Sequence, residues 1–257
     1  MATHLRPIEY LRSILGILVF FLLFLIATPV IAILLIFSLG KATNFIIKYI
    51  GPAIAYPVIW ITGINFEVIQ HGKPVDKSVI YTINHSSTLD LLTMIALGLP
   101  RVRFVAKWEL QYNPLFFIVG RLTGQVFIQR KNRAQAIPAL LKTYDRLKRD
   151  RLSIMVAPEG SRKHEGIIGP FKKGAFRMAI DLGFPIVPIY FEGNKELSLG
   201  GSLLTASGTI KAHIHEPIDT SDWSLETIDD HIDHLRGKYM EWAGVDEKTN
   251  YEVPGTE

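Results

Sequence analysis

The apolar positions of this chain follow two regimes. From residue 13 to residue 40 there are 28 successive uncharged residues, dominated by Ile, Leu, Val and Phe. As one helix they would run roughly 42 Å against a hydrocarbon core of about 30 Å, long enough to span a bilayer. Phe20-Phe21-Leu22-Leu23-Phe24 and the apolar residues after it do not fit a cleaved signal peptide, whose apolar region is shorter and ends at small residues. Pro29, near the middle, is expected to kink the helix. A second uncharged stretch covers the 18 residues 49–66 but contains Gly51, Pro52, Pro57 and Gly63. With Tyr49, Tyr56 and Trp60 it carries residue types of a membrane interface, so it is expected to lie in one leaflet or return to the side it came from. The alternative for either segment is a core helix of the globular part. Arg6 and Arg12 before the first segment and Lys41 and Lys48 after it give no orientation by charge.

Beyond residue 66 the pattern changes to short β-rich runs alternating with helical periodicity, which is the grammar of an α/β protein. Strands are expected at 66–70, 79–83, 103–106, 125–128, 153–157, 186–191 and 209–214. Helices are expected at 88–97, 114–122, 138–148, 175–182 and 225–242, the last with Leu225, Ile228, Ile232, Leu235 and Tyr239 on one stripe. Pro138 suits the first turn of its helix, and Thr220, Ser221 and Asp222 are N-cap candidates for the last one. The chain divides into an N-terminal membrane-anchoring part, 1–65, a catalytic domain, 66–243, and a tail, 244–257, expected to fray.

Composition narrows the chemistry. The 257 residues are 48% hydrophobic, which excludes a disordered chain, and the mean hydropathy of +0.23 reflects the N-terminal excess. Cysteine is absent, so disulfides, thiolate zinc sites and a cysteine nucleophile are excluded. Between Arg121 and Arg151 nine Lys/Arg face two Asp, whereas residues 216–257 hold twelve acids and three bases. A basic middle beside an apolar N-terminus suits an anionic lipid surface. A nucleic-acid partner is the rival reading, but no RNA- or DNA-binding motif accompanies the basic stretch.

The most specific local feature is Asn84-His85-Ser86-Ser87-Thr88-Leu89-Asp90, directly after a predicted strand. On one straight helix His85 and Asp90 would be about 140° apart, so the histidine should sit in the turn before the helix. Asp90 can then reach back to one ring nitrogen and support the imidazolium formed when the other takes a proton. The bland alternative is a capping histidine beside an incidental helix acid. A metal would need more ligands than this pair supplies. His213 with His215, and His231 with His234, are weaker metal candidates; the Gly-x-Ser-x-Gly elbow of serine hydrolases and a nucleotide-binding glycine loop are missing.

The order NHSSTLD (84–90), KWELQYNPLFFIVGRLTGQVFIQR (107–130), APEGSRK (157–163) with FKKGA (171–175), and FPIVPIY (184–190) resembles the four sequence blocks of the glycerophospholipid acyltransferase family, and within it the lysophosphatidic acid acyltransferases. The resemblance implies a mixed sheet flanked by helices, preceded by an N-terminal membrane-embedded helical segment. It implies acyl transfer from an acyl thioester, acyl-ACP or acyl-CoA, to the sn-2 hydroxyl of lysophosphatidic acid, with no metal or organic cofactor; the alternatives are another lysolipid acceptor, a phospholipid as acyl donor, hydrolysis in the same site, and a non-catalytic membrane lipid-binding protein of the same fold. It makes His85 the general base and Asp90 its partner, and associates Arg130, Glu159, Gly160, Ser161 and Arg162 with the glycerol phosphate of the acceptor. Pro185, Ile186, Val187 and Pro188 fall in the block assigned to acyl-donor binding or fold integrity. Gln129 stands where the family commonly has Asp, Ala157 where it has Phe, and Ser161 where it has Thr; these departures concern the acceptor rather than the reaction.

Each carried-over role meets a physical expectation. Arg130 offers a planar five-donor fork to phosphate, or is one more basic surface residue beside Lys131 and Arg133. Glu159 repels phosphate and is expected to hold a cation such as Arg130 or Arg162, or to hydrogen-bond the glycerol. Gly160 permits close backbone approach or a positive φ. Lys107 either adds a phosphate contact or is a solvated lysine, and Lys172, Lys173 and Gly174 are placed to complete an anionic-ligand patch at a helix N-terminus. No residue presents itself as the oxyanion donor. Membrane-resident substrates and a soluble thioester carrier imply a phospholipid membrane as partner, and a bacterial inner membrane with the catalytic domain on its cytoplasmic face.

Overall fold

Positive-φ glycines mark where the helical stretches stop. Gly40, Gly63, Gly98 and Gly183, at φ of 81°, 78°, 56° and 65°, each follow a helix in the left-handed conformation that side chains disfavour. The computed structural model describes residues 4–128, 133–162, 166–198 and 202–251. Its helices are α1 (Pro7–Phe37), α2 (Thr43–Ile61, with a wider π-turn at Ile46–Ile50), α3 (Asp90–Ala96), α4 (Pro114–Leu122), α5 (Arg133–Arg149), α6 (Lys173–Leu182), the single turn α7 (Asn194–Leu197) and α8 (Ile228–Trp242). The strands are β1 (Ile64–Gln70), β2 (Ile80–Ile83), β3 (Val102–Lys107), β4 (Val126–Ile128), β5 (Ser153–Val156), β6 (Ile186–Glu192) and β7 (Gly208–Ile214).

One sheet of seven strands runs β1-β7-β6-β2-β5-β3-β4. β6, β2, β5, β3 and β4 are mutually parallel, β7 is antiparallel to β6, and β1 is parallel to β7, so the sheet is mixed as expected. Every residue of β5 and the first six of β6 are buried, as strands covered on both faces must be. Ile80, Ile154, Ile186 and Tyr190 pack with α5, α6 and α8, through Leu147, Phe176, Leu235 and Tyr239. Alternate residues Val79, Ile83, Met155 and Val187 face the opposite side with Met94 of α3.

α2 lies on that opposite side, where Ala55 and Ile59 join Leu89, Ala96 and Ile210 in one buried cluster. The second apolar segment is therefore partly a core helix, the alternative the sequence left open. α1 packs against α2 and α4, Phe24 meeting Phe116 at a ring-centroid distance of 5.6 Å. Its foot is tied to the β7 side: buried Ser13 both donates to the carbonyl and accepts from the N–H of Thr205, at 3.2 and 3.0 Å. Both helices are long and apolar enough to cross a membrane. The outward face of α1 exposes Leu11, Leu18, Phe21, Leu22, Leu25 and Ile36.

Three expectations need correction. α5 starts at Arg133, so Pro138 lies beyond its first turn; the periodicity used to place the start at 138 marks buried positions, not ends. α8 starts at Ile228 with Thr227 before it, so Thr220, Ser221 and Asp222 do not cap it, and Leu225 is exposed. The tail does not fray at 244: Asn250 is buried, its Oδ1 accepting the N–H of Ile167 and Ile168 at 3.1 and 2.9 Å and its Nδ2 donating to the Ile168 carbonyl at 3.0 Å. One side chain thus satisfies a loop backbone that has no strand partner. Residues 252–257 lie outside the described residues.

Candidate active site

The strand order fixes where the chemistry gathers. From β2 the chain crosses over β5 to β3 through α3, and from β5 it crosses over β2 to β6 through α6. Right-handed crossovers leaving adjacent parallel strands in opposite directions place their helices on opposite faces, opening a crevice at the carboxyl ends of β2 and β5. His85 follows β2 and Glu159 follows β5.

His85 lies in the turn and Asp90 is the first residue of α3, the placement the five-residue spacing required. His85 Nδ1 and Asp90 Oδ2 are 2.7 Å apart. The aspartate is fully buried, while 28% of the histidine side chain is accessible, so the pair has one side toward the crevice and one in the core. Asp90 Oδ2 also accepts the main-chain N–H of Ser86 and Ser87 at 2.9 and 3.0 Å. Its Oδ1 accepts Nδ2 of Asn194 at 2.7 Å. Four N–H donors thus hold one carboxylate. With Nδ1–H donated to Asp90, the basic lone pair of the imidazole is on Nε2.

Glu159 reaches the backbone of the histidine. It is 3% exposed, its Oε2 accepts the main-chain N–H of His85 at 2.9 Å and its Oε1 that of Gly169 at 3.3 Å. Its carboxylate therefore braces the backbone that carries the histidine. Lys195, whose amine bonds the Gly166 carbonyl, feels the negative field of Glu159, but burial outweighs that field and lowers the lysine pKa. Gly160 has the positive φ anticipated for it, 70°, and its N–H closes a turn on the Ala157 carbonyl at 3.0 Å. Ser161 is partly exposed and Arg162 exposed on the same turn. Lys107 is the last residue of β3, at the carboxyl edge of the sheet. Arg130 lies outside the described residues.

Lys172 precedes α6 and Lys173 opens it, its exposed amine pairing with Asp229 of α8 at 2.8 Å. Residues 186–190 are buried strand. His213 meets His71 with ring nitrogens 2.9 Å apart, and no cluster of three or more metal-ligating side chains occurs among the described residues.

The sequence reading missed two asparagines. Asn84 accepts the N–H of Phe191 at 2.8 Å and donates to its carbonyl at 3.0 Å, extending the β2–β6 pairing with a side chain. Asn194 follows Gly193, whose φ is 94°. The signal available was a Gly-Asn pair directly after an apolar strand, at the sheet edge where ligands bind.

A buried carboxylate bonded to an imidazole at the switch point of an α/β sheet is an arrangement suited to activating a hydroxyl or water for attack. A sequence profile of the Acyltransferase family matches residues 64–192, just over half of the chain, including His85, Asp90 and Glu159. The chain belongs to that family and is an acyltransferase of glycerolipids. It is 32% identical over 190 residues to a 1-acyl-sn-glycerol-3-phosphate acyltransferase of Limnanthes douglasii, covering 74% of this chain and 67% of that protein. An enzyme of the same description from Haemophilus influenzae is 32% identical over 167 residues, 63% of this chain and 68% of that protein. The fold matches the crystal structure of the 1-acyl-sn-glycerophosphate (LPA) acyltransferase of Thermotoga maritima, with a TM-score of 0.68 and 24% identity over 91% of this chain and 98% of that one.

Proposed function

We propose that the protein transfers a fatty acyl group from an acyl thioester to the sn-2 hydroxyl of lysophosphatidic acid, giving phosphatidic acid. The observation that carries the chemistry is the 2.7 Å contact between His85 Nδ1 and buried Asp90 Oδ2. His85 Nε2 takes the proton of the acceptor hydroxyl as its oxygen attacks the thioester carbonyl carbon. The tetrahedral intermediate collapses with cleavage of the C–S bond, and the imidazolium returns the proton to the leaving thiolate. General base catalysis of this kind contributes about 10² to 10⁴ in rate, and a thioester is already a reactive donor.

The acceptor phosphate is assigned to Arg130 and Arg162, with Lys107, Gly160 and Ser161 around it; Glu159 acts as a positioning residue for His85. The relatives' names support the acceptor. The apolar outward face of α1 supports anchoring residues 1–65 in the membrane, so that an acceptor resting in lipid presents its headgroup to the crevice. A soluble thioester carrier, acyl-ACP or acyl-CoA, then places the catalytic domain at the cytoplasmic face of a bacterial inner membrane.

The test follows radiolabelled acyl transfer to lysophosphatidic acid by membranes containing equal amounts of wild type or His85→Ala, with each donor offered separately. Phosphatidic acid formed by the wild type and lost in the variant is the expected result. A wild type inactive with both donors would overturn the acceptor assignment.

A further inference from the structure

Asp90 Oδ2 already serves His85 Nδ1 and two main-chain N–H groups. All three donors come from the β2–α3 turn, and the Cβ–Cγ torsion they act on has a broad energy well. A contact to the other oxygen holds the same torsion from a second element of the fold, and with it the carboxylate that bonds the imidazole. That contact is Nδ2 of Asn194, 2.7 Å from Oδ1, on a residue with no solvent exposure 104 positions further along the chain.

We propose that Asn194 is a positioning residue for acyl transfer: its amide N–H fixes the Asp90 carboxylate in the orientation that aims the His85 imidazole at the acceptor hydroxyl. This rests on the reading of His85 as the base.

Three features support it. First, the amide has one workable orientation. Nδ2 donates to Asp90 and lies 3.2 Å from Thr93 Oγ1, while Oδ1 is buried with no hydrogen-bond partner among the described residues. Flipping the amide would set that oxygen against the carboxylate. An asparagine serving only to fill the core has no reason to leave its acceptor unused. Second, the preceding residue is constrained to deliver it: a Cβ on Gly193 would lie 2.5 Å from the Thr209 carbonyl oxygen, at a φ of 94°. Third, Asn84 locks the end of β2 to Phe191 of β6, three residues before Asn194, so the two strand ends that carry donor and acceptor cannot drift apart. The titratable groups around this point are Asp90 and His85 of the β2–α3 turn, Glu159 after β5 and Lys195 of α7.

The test compares Asn194→Ala and Asn194→Asp with wild type, as full-length protein in phospholipid vesicles, using lysophosphatidic acid with palmitoyl-coenzyme A or palmitoyl-acyl-carrier protein. Asn194→Ala is expected to lower kcat about a hundredfold while KM for the acceptor stays within about twofold, because orientation and not binding is lost. Asn194→Asp keeps the shape and supplies the discriminating readout. Two carboxyl groups in contact share one proton, and the protonated Asp at 194 is again a donor to Asp90; the doubly ionised pair at higher pH is not. The ratio of kcat for Asn194→Asp to that of wild type should therefore rise about tenfold or more from about pH 8.5 to about pH 6.5. A ratio independent of pH, or a loss in Asn194→Ala carried by KM, would overturn the inference. His85→Ala is run beside them. If it is active, the base reading falls and this inference with it; if it is inactive while both Asn194 variants match wild type, this inference alone falls.

Discussion

Glu159 Oε2 accepts the main-chain N–H of His85 at 2.9 Å across 74 residues, so the acid of the third sequence block holds the histidine of the first. Its other oxygen holds Gly169, whose carbonyl accepts Nε of Arg236 at 3.2 Å, and the adjacent Ile167 and Ile168 are clamped by Asn250. The backbone under His85 is thereby tied to the last described turn of the chain.

Glu159→Gln tests that brace. One of the two acceptors becomes an amide NH₂ facing an N–H, at a site with almost no solvent to compensate. The expected cost is about 1 to 3 kcal/mol of stability, with a fall in kcat larger than the change in KM. Denaturant unfolding and steady-state kinetics on the same preparation check it. A kcat equal to wild type would show that the brace does not matter to the base.

Asp90→Asn removes the orienter while keeping its size. Because an amide can present NH₂ to Nδ1 and stabilise the wrong tautomer, kcat should fall by about 10² to 10⁴, with KM for the acceptor little changed. A pH–rate profile of variant and wild type provides the measurement. Retention of more than about a tenth of the activity would reduce Asp90 to a helix acid.

His215 carries a pH dependence of folding rather than of catalysis. It stacks on Trp242 at 3.5 Å and on His71 at 4.6 Å, and burial, then His71, His213 and Lys238, push its pKa down to about 4 from 6.5. The folded protein binds fewer protons than the unfolded chain between those values. The stability this confers is present above about pH 6.5 and is lost as pH falls through about 4. Allowing for solvent screening of a partly buried ring, the loss is about 1 kcal/mol. Melting temperatures taken at about pH 7, 5.5 and 4 should fall less steeply for His215→Gln than for wild type.

Leu18 and Leu25 lie on the outward face of α1, 62% and 59% exposed. Leu18→Lys with Leu25→Lys should shift the protein from membrane pellets toward the supernatant after a salt wash, since each replaces apolar area that lipid would cover. Unchanged membrane retention would argue that this face is not the anchor.

Seven strands and the longer helices, though not the single turn α7, were legible because alternation and periodicity record which positions are buried. The placement of His85 in a turn and Asp90 on a helix was legible for a related reason, since five residues along one helix cannot face each other. Burial patterns carry no information on partners. They left the ends of α5 and α8 misplaced, and they could not tell whether α2 faced lipid or the core, which Ala55 and Ile59 answer by packing on Leu89 and Ala96.

The sequence by itself determined the α/β class, the long apolar α1 and the placement of His85 in a turn before Asp90 on a helix, because each is a local matter of length, period or spacing. Only the tertiary structure decided that β2 and β5 are neighbours, and hence that Glu159 reaches the backbone of His85, and that the β6–α7 corner brings Asn194 to Asp90. Those bonds join residues 74 and 104 positions apart, and their existence depends on strand order, which is set by how whole faces pack and not by any one segment.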